Sequence, residues 1–318
     1  MNMKTAIIAA PGKIVIENKP VPKPAPHEVL IRLEGCGICA SDLPVWQGRD
    51  WFDYPQEAGS PGHEGWGWVA EVGEEVESPR VGDKVAAVSY HAYAEYDVTD
   101  AKNVAVLPEQ LHGRPFSGEP LGCAWNIFER SEIKAGDNVA IIGIGFLGSL
   151  LTQLAKNAGA RVIAISRRES SLEMALKFGA DEIISLDDVN LVAKVDSLTK
   201  GRFCDKVVEA TGKEGPLNLA GELAAVRGKI IIAGYHQDGM RQVNVQLWNW
   251  KGLDVINAHE RDPQKYISGI RNAMEAVVDG RMRPDLLYTH EFGLEDIQKA
   301  FQIHADAPPG FVKAILKY

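Results

Sequence analysis

Hydrophobic and polar positions follow two different rhythms along the chain. Over residues 1–115, short alternating stretches such as 13–17 and 29–33 are bounded by Pro and Gly, which predicts β-strands. The segment 20–26 (PVPKPAP) carries four prolines in seven positions, so an extended surface connection is expected there and not a helix. Residues 62–88 repeat the theme, with GWGWVAEVG and VGDKVAAV as strand–turn–strand signals. Near Pro120 the texture changes. Apolar runs at 138–143, 161–166, 206–210 and 229–233 read as strands, and residues 146–157, 171–178 and 217–226 space their apolar positions as helices do. Strands separated by helices imply right-handed crossovers and a parallel, doubly wound sheet. From about residue 257 the pattern is mixed again and ends in a strand at 311–316. The expected architecture is therefore α/β. A β-rich domain drawn from both chain ends (1–119 and 261–318) encloses a nucleotide-type domain over 120–260.

Composition narrows the function classes. At roughly 150 residues per domain, 318 residues fit two domains. Lys and Arg total 34 against 43 Asp and Glu, and the resulting charge of −9 argues against a nucleic-acid-binding surface, which needs clustered positive charge. No run of 18 apolar residues exists, so no membrane span is expected. The amino-terminal apolar run stops at Pro11 and leads into strand-like alternation, unlike a signal peptide. Four cysteines in a chain this long do not make a disulfide framework, which points to a reducing cytoplasm.

The first chemistry-bearing motif is Gly143-Ile144-Gly145-Phe146-Leu147-Gly148, a G-x-G-x-x-G turn between a predicted strand and a predicted helix. In that context the first Gly permits the tight turn and the second lets backbone approach a pyrophosphate. The third lets helix and strand pack closely. Free N–H groups at the helix start then face the anion. Which dinucleotide binds depends on the tip of the next strand, about 20 residues beyond the first glycine. A carboxylate there would read a ribose 2′-OH, but the chain has Ser166, Arg167 and Arg168. A hydroxyl and two guanidinium groups suit a 2′-phosphate, so NADP(H) is favoured over NAD(H). The alternative is that both arginines are solvated and Glu169 reads the ribose.

A second constellation is dispersed. Cys36 and Cys39 form a Cys-x-x-Cys pair, which alone suggests redox chemistry or half of a structural zinc site, yet Cys123 and Cys204 are isolated. A better set is Cys39 in GICASD, His63 with Glu64 in PGHEGWG, and Glu119 in GEPLG, each in a glycine-flanked loop. Thiolate, imidazole and carboxylate give three ligands and leave the fourth position of a zinc ion open, which is a catalytic arrangement.

Taken together, GCGICASD, PGHEGWGWVAEVGEEV, VGDKVA, GEPLGCA, the glycine turn and the ending PGFVKAILKY resemble the zinc-dependent medium-chain dehydrogenase/reductase family, nearest its sorbitol and polyol dehydrogenase branch. The match runs from about residue 3 to the end, in the family's order. It implies a GroES-like catalytic domain around a Rossmann domain, with the active site in the cleft between them. By the resemblance Cys39 and His63 are zinc ligands, Glu119 is the carboxylate near the metal, and Glu64 is an alternate ligand. Ser41 accepts the substrate hydroxyl proton, and Lys313 approaches the cofactor pyrophosphate. Thr211-Gly212 and Gly234-Tyr235 flank the nicotinamide. Two departures matter. The four-cysteine lobe that binds a second, structural zinc in many members is absent, so one zinc per chain is expected. The family often carries a relay histidine five positions after the ligand cysteine, where this chain has Pro44; either ribose and water carry the proton, or another histidine such as His91 substitutes.

The implied reaction is reversible hydride transfer between a secondary alcohol and NADP+ or NAD+. Trp46 and Trp51, beside Asp50 and Asp53, suit the mixed C–H and hydroxyl faces of a polyol, sugar or cyclitol, whereas Trp66 and Trp68 in an alternating strand read as core. His259, Glu260 and Arg261 either close the pocket or sit at a subunit contact, and the resemblance implies a homodimer or homotetramer. Two other readings stay open: a zinc-free quinone or enoyl reductase of the same superfamily, and a non-catalytic NADPH-binding sensor. The joint presence of Cys39, His63 and Glu119 speaks against the first, and the GHE and CASD motifs speak against the second.

Overall fold

In the computed structural model, which describes residues 1–237 and 239–318, the alternating amino-terminal segments pair as strands. Strands β1 (Asn2–Ala10) and β2 (Lys13–Pro20) form an antiparallel ribbon whose turn uses Gly12 at φ +70°. The proline-rich segment that follows is irregular, as its fixed φ angles require. Then come β3 (Glu28–Gly37), a short helix α1 (Leu43–Gln47), β4 (Glu64–Val72), β5 (Lys84–Ala87), β6 (Tyr96–Asp100), β7 (Val104–Val106) and helix α2 (Gly118–Ser131).

The middle of the chain alternates strand and helix. It runs β8 (Asn138–Ile142), α3 (Phe146–Asn157), β9 (Arg161–Ser166), α4 (Glu169–Lys177), β10 (Glu182–Ser185), α5 (Leu191–Leu198), β11 (Cys204–Glu209), α6 (Glu214–Leu223), β12 (Ala224–Ile232), α7 (Val245–Lys251) and β13 (Asp254–Asn257). The chain closes with α8 (Pro263–Val278), β14 (Tyr288–Gly293), α9 (Ile297–Asp306) and β15 (Lys313–Lys317).

Two compact units result. One contains Met1–Gly122, Asp262–Val278 and Pro284–Tyr318; the other contains Cys123–Arg261 and Asp279–Arg283. In the first, a seven-stranded sheet runs β14-β15-β3-β4-β5-β7, with β6 also paired to β3. Its core gathers Val29, Ile31 and Leu33 of β3 with Ile8, Val45, Trp46, Tyr93 and Phe301. In the second, six parallel strands lie in the order β10-β9-β8-β11-β12-β13. Every residue of β8 is buried, as expected for a parallel strand covered on both faces. The strand order reverses between β8 and β11, which is where sheets of this type place a ligand at their carboxyl ends.

Three elements depart from the sequence expectation. The pair β10 and α5 gave no signal, because four and eight residues are too few to establish a period. Leu217, Ala220, Leu223 and Val226 keep a three-residue spacing that extends the predicted helix to 226. The structure ends α6 at Leu223 and gives the following residues to β12, which pairs with β11. Arg227, at φ +61°, marks the irregular start of that strand.

Candidate active site

The strands of the first unit bring distant chain positions into one row. Gly37 at the end of β3 pairs with Glu64 at the start of β4 on one side and with Ile315 of β15 on the other. Cys39 follows β3, and His63 immediately precedes β4. One ligand atom each from Cys39, His63 and Glu64 lies within 4.8 Å of the others. The His63 ring is fixed from behind: Nδ1 lies 2.9 Å from the Pro61 carbonyl and 3.3 Å from Asp42 Oδ1. Nε2 is therefore the nitrogen left to meet a metal with Cys39. Burial alone would lower the imidazolium pKa, but the Asp42 carboxylate and then Cys39 overcome it and raise it well above its ordinary value.

Asp42, which sequence reading passed over inside GICASD, is buried and holds three groups. Oδ2 accepts from the Cys39 amide at 3.1 Å and from the Tyr93 hydroxyl at 2.5 Å, while Oδ1 faces His63. The Tyr93 phenol is pushed well above its ordinary range by burial and by the Asp42 charge, so it remains a donor. The two cysteines of the Cys-x-x-Cys pair have different lives. Cys36 is buried, its thiol pushed up by burial and by Glu64, whereas Cys39 is half-buried in the cluster; neither forms a disulfide.

Glu64 is fully buried and clamped. Oε1 accepts from Lys313 Nζ at 2.5 Å and Oε2 from Ser117 Oγ at 2.9 Å. The carboxylate fits because residue 37 is glycine: a Cβ there would overlap the Glu64 carboxylate and Ser117 Oγ. Burial opposes the Lys313 charge, but the negative groups Glu64, Cys39 and Glu119 hold its ammonium above the ordinary range. Two of the expected site residues take these places. Lys313, expected at the cofactor pyrophosphate, is buried on Glu64. Glu119, expected as the third ligand, lies in the first turn of α2 outside the 4.8 Å cluster, and Glu64, expected as the alternate, lies inside it. The reason is backbone placement, since Glu64 adjoins His63 on the strand that pairs with Gly37.

In the second unit the glycine turn has the geometry its spacing requires. Gly143 sits at φ +98°, and a Cβ there would press on Thr211 of the neighbouring strand end. A Cβ on Gly148 would overlap the Gly143 carbonyl, so the third glycine permits the close approach of α3. Above Gly145 nothing lies within 4 Å, which leaves the α3 amino terminus accessible to an anion. At the tip of β9, Ser166 is buried, Arg167 exposed and Arg168 half-buried, and Ser166 Oγ accepts from the Arg168 amide at 3.3 Å. Burial and then the neighbouring Arg167 lower the Arg168 pKa, so an anion at this point would relieve repulsion between them. Glu209, another residue missed in the sequence, ends β11 fully buried. It accepts from the amides of Thr211 at 2.6 Å and Gly212 at 3.0 Å and from the Thr211 hydroxyl. His236 Nε2 lies 2.9 Å from its other oxygen, and Arg241 Nε donates to His236 Nδ1, which fixes the tautomer. Gly234 packs directly on Gly212, and Tyr235 is exposed with its ring edge-on to His259 at 5.1 Å.

The aromatic expectations divide. Trp46 is 6% exposed and packs on Phe301 at 5.9 Å, so it is a core residue and not a pocket wall. Trp66 is core as expected, and Trp51 is exposed beside Phe52. Tyr90, unnoticed in the sequence, is the exposed aromatic near the cluster, with its ring 6.4 Å from that of His63. His91 is engaged at the surface with Glu57 at 2.9 Å. Ser41, in a single helical turn after Cys39, is half-buried. His259 is half-buried and its carbonyl accepts from Arg130.

Residues 25–124 match the family model of the alcohol dehydrogenase GroES-like domain, and residues 147–277 that of the zinc-binding dehydrogenases. A sorbitol dehydrogenase of Halalkalibacterium halodurans is 27% identical, with 96% of each chain covered. An L-threonine 3-dehydrogenase of Bacillus licheniformis is 29% identical, with 95% of each covered. An alcohol dehydrogenase of Escherichia coli, solved with NADH, superposes at a TM-score of 0.89 and 25% identity, covering 100% of this chain and 99% of its own. The chain belongs to the zinc-type medium-chain dehydrogenase/reductase family. It is an oxidoreductase of the alcohol dehydrogenase type.

One pH effect follows from the packing around Lys313. Burial, reinforced by the Lys313 charge, pulls the His304 imidazole from 6.5 down to about 4. Below pH 6.5 the unfolded chain takes up a proton that the folded chain refuses. The stability this gives is complete above pH 6.5 and is lost as the pH falls through about 4. Melting temperature against pH should therefore fall more steeply over that window for the wild type than for His304→Gln; parallel curves would contradict the assignment.

Proposed function

We propose that this chain is a zinc-dependent dehydrogenase that transfers a hydride between a secondary alcohol of polyol, sugar or cyclitol type and NADP(H), with NAD(H) the less favoured cofactor. The observation that carries the reading is the convergence of Cys39, His63 and Glu64 within 4.8 Å. Their thiolate, imidazole and carboxylate match the donor set of a catalytic zinc site with an open position, at one zinc per chain. Glu64 stands ready as the third ligand, and Glu119 is the carboxylate the family resemblance would put beside the metal. Zinc bound there supplies Lewis acidity toward a substrate oxygen, and the nicotinamide supplies the hydride acceptor.

The chain's own residues do the rest. Asp42 and the Pro61 carbonyl orient His63. Lys313 and Ser117 hold the Glu64 carboxylate aligned. Ser41 takes the substrate hydroxyl proton. The α3 amino terminus binds the pyrophosphate, and Thr211, Gly234 and Tyr235 border the nicotinamide half. Trp51 and Tyr90, both exposed, offer aromatic faces to a polyol. No helix among the described residues is long and apolar enough to cross a membrane, and a cytoplasmic setting accords with four free cysteines. A homodimer or homotetramer is favoured by the open edge of β13, where Val255 is exposed, and by Trp250 of α7, which is 82% exposed.

Two experiments test this. In a panel of polyols, sugars and cyclitols with NADP+, the wild type should oxidise at least one, and Cys39→Ser should abolish turnover; full activity in that variant would refute the assignment. Replacing both Arg167 and Arg168 by alanine should lower kcat/KM for NADP+ on the order of 100-fold, the loss of two charge-assisted contacts, and leave NAD+ within a few-fold. Equal losses for both cofactors would show that these arginines do not read a 2′-phosphate.

A further inference from the structure

The hydroxyl of Tyr93 has a place in the molecule that core packing does not require. Its ring is 1% exposed and meets Phe301 edge-on at 5.7 Å, an arrangement that phenylalanine would reproduce. Backbone contacts fix its position: the Tyr93 amide donates to Gly59 O at 3.0 Å, and its carbonyl accepts from the Ala6 amide at 2.8 Å. Burying a hydroxyl is costly without a partner, and this one donates to Asp42 Oδ2 at 2.5 Å. Asp42 Oδ2 also accepts from the Cys39 amide, at 3.1 Å. With that oxygen doubly held, the carboxyl is oriented so that Oδ1 lies 3.3 Å from His63 Nδ1, which also faces the Pro61 carbonyl at 2.9 Å.

We propose that Tyr93 is a positioning residue of the metal site: its hydroxyl locks Asp42, Asp42 locks the His63 ring, and Nε2 is thereby kept aimed at the ion. The chain of contacts joins Cys39 and His63 to one buried carboxylate, so a loosened Asp42 disturbs both ligands together. This inference rests on the zinc reading of the Cys39–His63–Glu64 cluster. It goes beyond that reading by assigning a role to a residue that touches neither metal nor substrate. Partners behind a ligating histidine typically change metal affinity 10- to 100-fold when removed.

The test compares wild type, Tyr93→Phe, Asp42→Asn and the double variant, with zinc affinity measured by chelator competition and the visible spectrum recorded after cobalt substitution. Tyr93→Phe should bind zinc about 10-fold more weakly and show an altered cobalt spectrum. The melting temperature measured with the metal stripped out should stay close to wild type. Because Tyr93 acts through Asp42, the double variant should bind no more weakly than Asp42→Asn alone. Wild-type affinity and an unchanged cobalt spectrum in Tyr93→Phe would overturn the proposal, as would full additivity in the double variant. Should Asp42→Asn fail to fold, the affinity and spectrum of Tyr93→Phe decide the matter alone. A wild-type protein that takes up no zinc would instead sink the underlying reading of the site, a result distinct from zinc binding that ignores Tyr93.

Discussion

The first unit is organised around a buried carboxylate that occupies the space left by a missing side chain. Glu64 is inaccessible to solvent, and burying a lone carboxylate in such a place is unfavourable by several kcal/mol. It is tolerated because two strands and a loop converge on it. Gly37 gives room, Lys313 on β15 brings the opposite charge, and Ser117 before α2 supplies a neutral donor. Cys39 follows β3 and His63 precedes β4, so whatever aligns Glu64 also aligns the metal-binding groups. The sheet order, with β15 beside β3 and β3 beside β4, is thus a requirement of the site as much as of the core.

The second unit meets a different need with different means. Its parallel sheet presents main-chain N–H groups at the start of α3 and packs glycines where a Cβ would collide. Glu209 plays there the role that Asp42 plays in the first unit, a buried carboxylate that ties loop amides in place behind the working surface. In both, the groups that face a ligand are held by acids that do not.

The legible parts of the sequence were the local ones. The glycine turn lies within six consecutive residues between a strand and a helix, and GICASD and PGHEGWG each keep their chemistry within a few positions. Long-range pairings were hidden. Nothing in the spacing of Lys313 announces an ion pair 249 positions away, and a resemblance assigned it to the cofactor. Glu119 and Glu64 both looked able to ligate, and the register of β3 with β4 brings Glu64 beside Cys39 and His63. Trp46 neighbours the ligand loop in sequence but turns inward onto Phe301, because the apolar side of α1 faces the core. Asp42 was in plain view, yet a lone acid after a serine carries no signal until Tyr93 and His63 are seen to flank it.

Catalysis at this site requires Cys39, His63 and a neighbouring carboxylate to hold one ion. Metal analysis of the purified protein after exhaustive dialysis against metal-free buffer tests this most directly. The structure predicts about one zinc per chain in the wild type and none when His63 is replaced by alanine. A wild-type protein with no zinc, or zinc retained in full without His63, would contradict it.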